Sequence, residues 1–230
     1  MSTFNVPMPR EQLERLVRQI VRERNVVVPP SGQPQPAMAF DRNLVVNISA
    51  RHMHISPQHL ETLFGPGAEL SVYRWLYQPG EFASEQTVTI MGPRMRSITG
   101  VRILGPARKE SQIELSFTDS IALGLNVPVR PSGSIDNTPG CYVFGPKGMA
   151  ELSRGLIRAE RHVHMSTAEA AQFGFQDKQY IKLRVQGSCT TTFERVLCRV
   201  DPKFLLEVHV DTDEGNACDL SNAQKVELLP

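Results

Sequence analysis

Apolar residues near the start of the chain recur with helical spacing. Within residues 9–24 they stand at i, i+3, i+4, i+7 and i+8, and charged residues fill the positions between them. They are Leu13, Leu16, Val17, Ile20 and Val21. This pattern predicts an amphipathic helix, and the prolines that follow favour an extended tether over residues 29–39. The apolar stripe then either folds back on the rest of the chain or docks on another protein.

From residue 40 onward the apolar residues alternate with a period of two, which is typical of β-strands. We predict strands at residues 43–49, 87–90, 98–104, 112–117, 180–185, 191–197 and 205–210. A helix is predicted at residues 149–154, an irregular loop at 126–140 and a polar turn at 211–217. The spacing of the strands is that of a small all-β barrel or sandwich.

One short motif occurs twice in this β-rich region. Arg-His-Met-His-Ile-Ser begins at Arg51, and Arg-His-Val-His-Met-Ser begins at Arg161. Side chains two apart on a strand project from the same face, roughly 7 Å apart, so each motif aims two imidazoles at one point. Imidazole is a ligand of zinc and of other late first-row metals. One copy alone fits a solvated strand face equally well, but the recurrence favours metal binding by His52, His54, His162 and His164.

The similarity of the two copies continues past the histidines. Ser56 and Ser166 each precede a helical pattern that ends at a glycine, and Pro57 occupies the favoured first helical position. We interpret this as an internal duplication of a strand, a pair of metal ligands and a short helix. The chain is therefore predicted to contain two related modules.

Other polar residues are candidates for the same site. Glu114 lies on the polar side of its predicted strand and is a plausible third metal ligand, and His209 completes a three-imidazole set with His162 and His164. Arg108 follows a Gly-Pro turn, where a guanidinium is suited to clamp a phosphate through two hydrogen bonds. The alternatives are a solvated Glu114, a structural His209 and an ordinary surface Arg108.

Two loop residues extend this set of candidates. Ser132, within the loop at 126–140, either donates a hydrogen bond to an oxyanion or stabilises a turn. Asn216, in the polar turn next to His209, is a candidate for orienting a substrate.

Composition limits the classes of partner. The 230 residues, 40% of them hydrophobic, are enough for one large domain or two small ones. A net charge of +1 argues against binding to nucleic acid or to an anionic membrane, and no apolar run approaches the roughly 20 residues that span a bilayer. The four cysteines show no CxxC spacing and no secretory segment is recognised, so we expect a cytosolic protein with free thiols.

Together these motifs resemble the PduL-type phosphotransacylases (phosphate propanoyltransferases) of bacterial microcompartments. Four stretches carry the resemblance, in order: Asn-Ile-Ser-Ala-Arg-His-Met-His-Ile-Ser, Leu-Gly-Pro-Ala-Arg with Gln-Ile-Glu, Arg-His-Val-His-Met-Ser, and Asp-Thr-Asp-Glu-Gly-Asn-Ala. They cover about residues 40–230. Cys218 and Asp219, which follow Gly-Asn-Ala, depart from the family pattern.

The resemblance implies a mainly β fold of two interleaved barrels, which arise from the duplication and are capped by short helices. Residues 40–50 and 160–230 would form one barrel, and residues 51–159 the other. Residues 1–28 would be an encapsulation-type helix that binds microcompartment shell or core enzymes through residues 9–24. The protein would then reside in a microcompartment lumen within the bacterial cytoplasm, and we expect a homo-oligomer.

The resemblance also implies an activity and a site. The reaction would convert a short-chain acyl-CoA, propanoyl- or acetyl-CoA, and phosphate to acyl phosphate and coenzyme A. Two divalent metals, most plausibly Zn²⁺, would be bound by His52, His54 and Glu114 and by His162, His164 and His209. Arg108 would bind phosphate and act in catalysis. The further substrate-binding candidates are Ser49, Ser132 and Asn216.

Two other classes of function fit parts of this pattern. A zinc-dependent hydrolase of a thioester or related acyl substrate would use the same histidines and would need no phosphate. The other class is a non-catalytic β-barrel whose metals are structural. Structural metal sites are typically closed by four protein ligands, whereas each predicted site here offers three. The sequence therefore favours an enzyme.

Overall fold

A computed structural model describes residues 44–230 of the chain. The predicted amphipathic helix at 9–24 and the tether at 29–39 lie outside the described residues. Among the helices at 44–230, none combines the length and the apolar character that a membrane crossing requires.

The described part of the chain contains fifteen strands and four short α-helices. The strands are β1 Val45–Ser49, β2 His52–His54, β3 Val72–Trp75, β4 Phe82–Met91, β5 Ser97–Gly105, β6 Gln112–Glu114, β7 Val129–Arg130, β8 Cys141–Phe144, β9 Met149–Leu152, β10 Leu156–Ala159, β11 His162–Met165, β12 Tyr180–Gln186, β13 Thr191–Val200, β14 Glu207–Asp211 and β15 Lys225–Leu229. The helices are α1 Pro57–Phe64, α2 Phe117–Leu123, α3 Thr167–Phe173 and α4 Thr212–Ala217, followed by a 3₁₀ turn at Leu220–Asn222.

These strands form two sheets. The first has six strands in the order β1-β14-β11-β13-β12-β15. The second has nine strands, in the order β7-β10-β6-β2-β5-β4-β8-β9, with β3 paired to β4. The chain thus leaves the first sheet after β1, builds the whole second sheet and then returns to complete the first. The predicted mainly β fold of two interleaved units with short helices is confirmed.

Each sheet contains one copy of the histidine motif in the same pairing environment. Strand β2 is parallel to β5 and antiparallel to β6, and β11 is parallel to β13 and antiparallel to β14. Each motif strand therefore lies between a parallel and an antiparallel neighbour. The duplication seen in the sequence extends to the way in which the strands pair.

Each sheet also has its own apolar core. Met53 and Val163, the residues between the histidines, are both fully buried, one in each core. Because side chains alternate along a strand, burial of these residues turns the neighbouring histidines to the opposite face. The predicted serine caps are confirmed: the side chains of Ser56 and Ser166 accept hydrogen bonds from the backbone N–H groups of His59 and Glu169.

Three local predictions were wrong. Residues 149–152 form a strand instead of a helix, because they pair with β8 and bury Ala150 and Leu152 on alternate positions, which overrides their helical propensity. The strand predicted at 112–117 ends at Glu114. A capping box between Ser116 and Asp119 starts a helix there and leaves Phe117 exposed. The polar turn predicted at 211–217 is likewise a capped helix, α4.

Candidate active site

The first motif and Glu114 form a compact buried triad. The Nε2 atoms of His52 and His54 lie 3.2 Å apart. Glu114 approaches both rings, with Oε2 3.5 Å from His52 Nε2 and Oε1 3.6 Å from His54 Nε2. Three ligand-type atoms therefore converge on one point, in the arrangement expected of a metal site with three protein ligands.

The second motif forms an equivalent triad with His209. The His162 ring stacks on that of His209 with centroids 4.8 Å apart, and the His164 ring lies 5.0 Å from that of His209. One nitrogen from each ring lies within 4.8 Å of the others. His164 is buried, whereas His162 and His209 are partly buried.

The register of the antiparallel strands brings the third member to each pair. His52 is directly opposite Glu114, and His162 is directly opposite His209. Directly opposed side chains lie on the same face of a sheet with their Cβ atoms about 5 Å apart. A glutamate in one module and a histidine in the other thus occupy equivalent positions.

A backbone carbonyl orients the first histidine of each motif. The Nδ1 atom of His52 lies 2.9 Å from the Ala50 carbonyl oxygen, and Nδ1 of His162 lies 2.8 Å from that of Glu160. Each carbonyl accepts only from a protonated Nδ1, so the lone pair of the neutral ring resides on Nε2. Both rings therefore present Nε2 as the atom available to a metal.

Burial favours the neutral imidazole at His54, His162 and His164. It lowers the pKa of His54 to about 4 and that of His162 to about 4. Burial, together with the charges of His162 and His209, lowers the pKa of His164 to about 2. Burial alone would raise the pKa of Glu114, but the neighbouring histidines outweigh it and the pKa is lowered. The neutral imidazole of His54 beside the ionised carboxylate of Glu114 is suited to bind a divalent cation.

The second triad also contains buried polar atoms without partners. Neither ring nitrogen of His164 has a hydrogen-bond partner among the described residues. His209 Nε2 makes no hydrogen bond of good geometry either, although Glu207 Oε2 lies 3.1 Å away. An unsatisfied buried polar atom costs about 1–3 kcal/mol, so such atoms indicate that a ligand satisfies them. A metal ion bound by three imidazoles fits this position.

Both triads open onto one cavity of about 620 Å³. Ser49, Arg108 and Ser132 also line this cavity. The structure thus brings together the predicted ligands of both triads, the predicted phosphate-binding residue and two of the three other substrate-binding candidates. Asn216 is not brought there: it is exposed on α4 and does not line this cavity.

Arg108 lies at the edge of the first triad. Its backbone N–H donates to the Ile55 carbonyl oxygen over 2.8 Å, which anchors the loop to the end of the first motif. The guanidinium lies 3.6 Å from the Glu81 carboxylate and 3.4 Å from the Ser132 hydroxyl. Arg108 is partly exposed, so its remaining donors can reach a bound anion.

Sequence reasoning missed several residues of the site. Gln112 Nε2 donates to Glu114 Oε1 over 2.7 Å, and the Ser132 hydroxyl donates to the same oxygen over 2.9 Å. The position of Gln112 two residues before Glu114 places both on one strand face, and that signal was available in the sequence. Glu81, just before β4, and Arg199, on β13, also line the cavity. Both are far in sequence from the histidine motif of their own module, and no local sequence pattern indicates them.

Comparisons with known proteins show which family this chain resembles in sequence. The family model described as phosphate propanoyltransferase matches residues 45–221. The chain is 51% identical to the phosphate propanoyltransferase of Planctopirus limnophila over 222 residues, 96% of this chain and 91% of the relative. It is 46% identical to that of Thermotoga maritima over 187 residues, 81% of this chain and 89% of the relative. It is also 38% identical to the phosphate propanoyltransferase of Rhodopseudomonas palustris over 226 residues, 96% of this chain and 98% of the relative.

All three relatives carry the name of one class of transferase. The chain belongs to that class, the phosphate propanoyltransferase family, because the family model covers about three quarters of it and the relatives align over most of their own length. The resemblance recognised from the motifs is therefore confirmed.

The unpartnered nitrogens of His164 lead to a stability prediction. In metal-free protein, His164→Leu removes a buried imidazole whose nitrogens are unsatisfied, so we expect the free energy of unfolding to rise by about 1–3 kcal/mol. The measurement is urea denaturation with a strong chelator present, with His59→Leu as the matched histidine control. A fall in stability of the His164 variant under these conditions would contradict the assignment of an unsatisfied buried ring.

Proposed function

We propose that this chain interconverts a short-chain acyl-CoA and phosphate with the acyl phosphate and coenzyme A. One observation supports this most strongly: two triads of metal-ligand type and the guanidinium of Arg108 line the same cavity. The family and the relatives are named phosphate propanoyltransferases, a name that describes transfer of a propanoyl group to or from phosphate.

In this proposal each triad holds one divalent metal, and zinc fits best. Imidazole and carboxylate donors with three protein ligands leave a coordination position open for substrate, as in catalytic zinc sites. A metal held there would polarise the thioester carbonyl and stabilise the departing thiolate. Burial favours the neutral state of His54, His162 and His164, so a lone pair of each ring is available to a metal without loss of a proton.

Arg108 is proposed to hold the phosphate. A phosphate oxygen attacks the thioester carbonyl carbon, the carbon–sulfur bond breaks, and coenzyme A leaves as the thiolate. Positioning the anion next to the carbonyl turns an encounter of two molecules into a reaction within one complex. In the structure the nearest acidic neighbour of the guanidinium is Glu81, whose loose 3.6 Å contact an incoming phosphate would replace.

No covalent acyl-enzyme is needed for this reaction. Cys141, Cys198 and Cys218 are buried, and burial raises the pKa of Cys141 to about 12 and that of Cys198 to about 11. These thiols stay protonated at neutral pH and are poor nucleophiles. None of the four cysteines lines the cavity. Direct attack by phosphate is the simplest route.

The first test is the dependence on phosphate. We expect purified protein to release coenzyme A from propanoyl-CoA only when phosphate is present, with acyl phosphate as the product. Free thiol and acyl phosphate are measured in parallel with and without phosphate. Thioester cleavage without phosphate, with formation of the free carboxylic acid, would instead identify a hydrolase.

The second test removes one ligand from each triad. His54→Ala and His209→Ala should each reduce phosphate-dependent release of coenzyme A to below about 1% of wild type, because each leaves an incomplete metal site. Elemental analysis should show a loss of about one metal per chain in each variant. His59→Ala, outside both triads, serves as the control and should keep activity and metal. Full activity in either triad variant would refute the metal assignment.

The third test concerns Arg108. Arg108→Ala should raise the KM for phosphate about 10-fold to 100-fold, because a hydrogen bond to a charged group contributes about 1.5–3 kcal/mol. Arg108→Lys keeps the charge but loses the two-point contact, so an intermediate KM is expected. Arg154→Ala, which removes an exposed arginine paired with Glu110 and Asp136, is the control. An unchanged KM for phosphate in Arg108→Ala would place the anion elsewhere.

We propose further that the chain acts inside a microcompartment as a homo-oligomer and that residues 1–28 direct it there. The support is the amphipathic pattern at 9–24 followed by prolines, a composition suited to docking on a partner. Deletion of residues 1–28 should leave kcat and KM within about 2-fold of the full chain and stop co-assembly with shell or core enzymes. Sedimentation of purified compartments with both forms measures this. An inactive truncated protein would assign the segment to the active domain.

A further inference from the structure

The two histidines of each motif and the two residues directly opposite them on the antiparallel strand form a square of four side chains on one sheet face. In the first module His52 is opposite Glu114 and His54 is opposite Gln112. In the second module His162 is opposite His209 and His164 is opposite Glu207. Three corners of each square form the triads, so the fourth corner is Gln112 in one module and Glu207 in the other.

The two fourth-corner residues contact the third ligand of their own triad. Gln112 Nε2 donates to Glu114 Oε1 over 2.7 Å. Glu207 Oε2 lies 3.1 Å from His209 Nε2, a close contact between a carboxylate and an imidazole. The two pairs have opposite polarity. An amide donor faces the carboxylate ligand, and a carboxylate acceptor faces the imidazole ligand.

Each fourth-corner residue also has a hydrogen-bond partner outside its own square. Gln112 Oε1 accepts from the Gly133 backbone N–H over 2.7 Å. Glu207 Oε2 accepts from Gln78 Nε2 over 2.8 Å, and the Gln78 carboxamide also bonds to both the N–H and the C=O of Leu205. The exposed fractions of Gln112 and Glu207 are 3% and 2%, so water does not replace these partners.

We propose that Gln112 and Glu207 are positioning residues that orient the third ligand of each metal site. Gln112 directs one carboxylate oxygen of Glu114 and leaves the other free for the cation. The Glu207 carboxylate lies against one edge of the His209 ring and restricts its rotation, so that the ring stays directed at the cation. Partners of this kind commonly change metal affinity about 10-fold to 100-fold when they are removed. The inference rests on the proposed metal-binding role of the triads.

The complementary polarity of the pairs Gln112–Glu114 and Glu207–His209 leads to a prediction that a purely packing role for Gln112 and Glu207 does not. Exchanging only one member of a pair creates a mismatch: two buried carboxylates repel each other, and an amide beside the imidazole ligand lacks the negative charge of the carboxylate. Exchanging both members restores a donor facing an acceptor. Changes at the two positions should therefore be strongly non-additive.

The test is a double-mutant cycle in the second module, read as Zn²⁺ affinity by competition with a chromogenic chelator on the full chain. Glu207→Gln in the wild-type background should weaken the second Zn²⁺ about 10-fold. In the His209→Glu background the same change should strengthen it about 10-fold, because it recreates the Gln–Glu pair of the first module. Glu227→Gln, elsewhere in the same sheet, should have no effect beyond about 2-fold in either background.

The reciprocal cycle in the first module keeps the test decisive if a His209 variant does not fold. Gln112→Glu should weaken the first Zn²⁺ in the wild-type background and strengthen it in the Glu114→His background. Circular dichroism of the metal-free variants checks that each is folded.

An effect of the same sign in both backgrounds, or none beyond about 2-fold, would overturn the positioning role while leaving the proposed metal sites in place. A wild-type protein that binds no Zn²⁺ would instead overturn the metal sites of the proposed function, and this inference with them. Zinc affinity is measured without substrate, so a failure of the transferase assay alone leaves the result of the cycle interpretable.

Discussion

The site depends on the antiparallel register between each histidine strand and the strand opposite it. That register places His52 against Glu114 and His162 against His209. A shift of one residue would turn the third ligand to the apolar face and bring an aliphatic side chain into the site. Burial of Met53 and Val163 in the two cores opposes such a shift, since it would expose apolar area worth about 25 cal/mol per Å². Hydrophobic packing on one face therefore fixes the ligand geometry on the other.

A second constraint comes from the path of the chain. Strand β1 belongs to the same sheet as β11 and β14, although the entire nine-stranded sheet lies between them in sequence. This path opens both triads onto one cavity together with Arg108, so a thioester and a phosphate can be held side by side. Burial lowers the pKa of His54, His162 and His164, and the neighbouring histidines keep the Glu114 carboxylate ionised against the effect of its own burial, which suits these groups to a cation. One arrangement thus explains both the electrostatics of the site and its capacity for two substrates.

Much of the candidate site could be predicted because its signals are local. Alternation within a strand put Glu114 and His209 on polar faces, and the repeated motif identified four histidines as two pairs. Gln112 and Glu207 were missed as partners of these ligands, although each stands two residues before its ligand on the same strand face. The helix predicted at 149–154 was wrong because a non-local contact decides the conformation: Met149–Leu152 has high helical propensity, but it pairs with β8.

The sequence by itself determined the duplication, the β-rich character, the serine caps, the membership of a family and the side chains with the chemistry to bind a cation. These properties reside in residue type and short spacing, which the chain carries before it folds. Only the tertiary structure decided that the two triads share a cavity, that Asn216 does not line it and that each third ligand lies opposite its histidine pair. Contacts between residues far apart in sequence depend on strand order and register, and a one-dimensional pattern constrains these weakly.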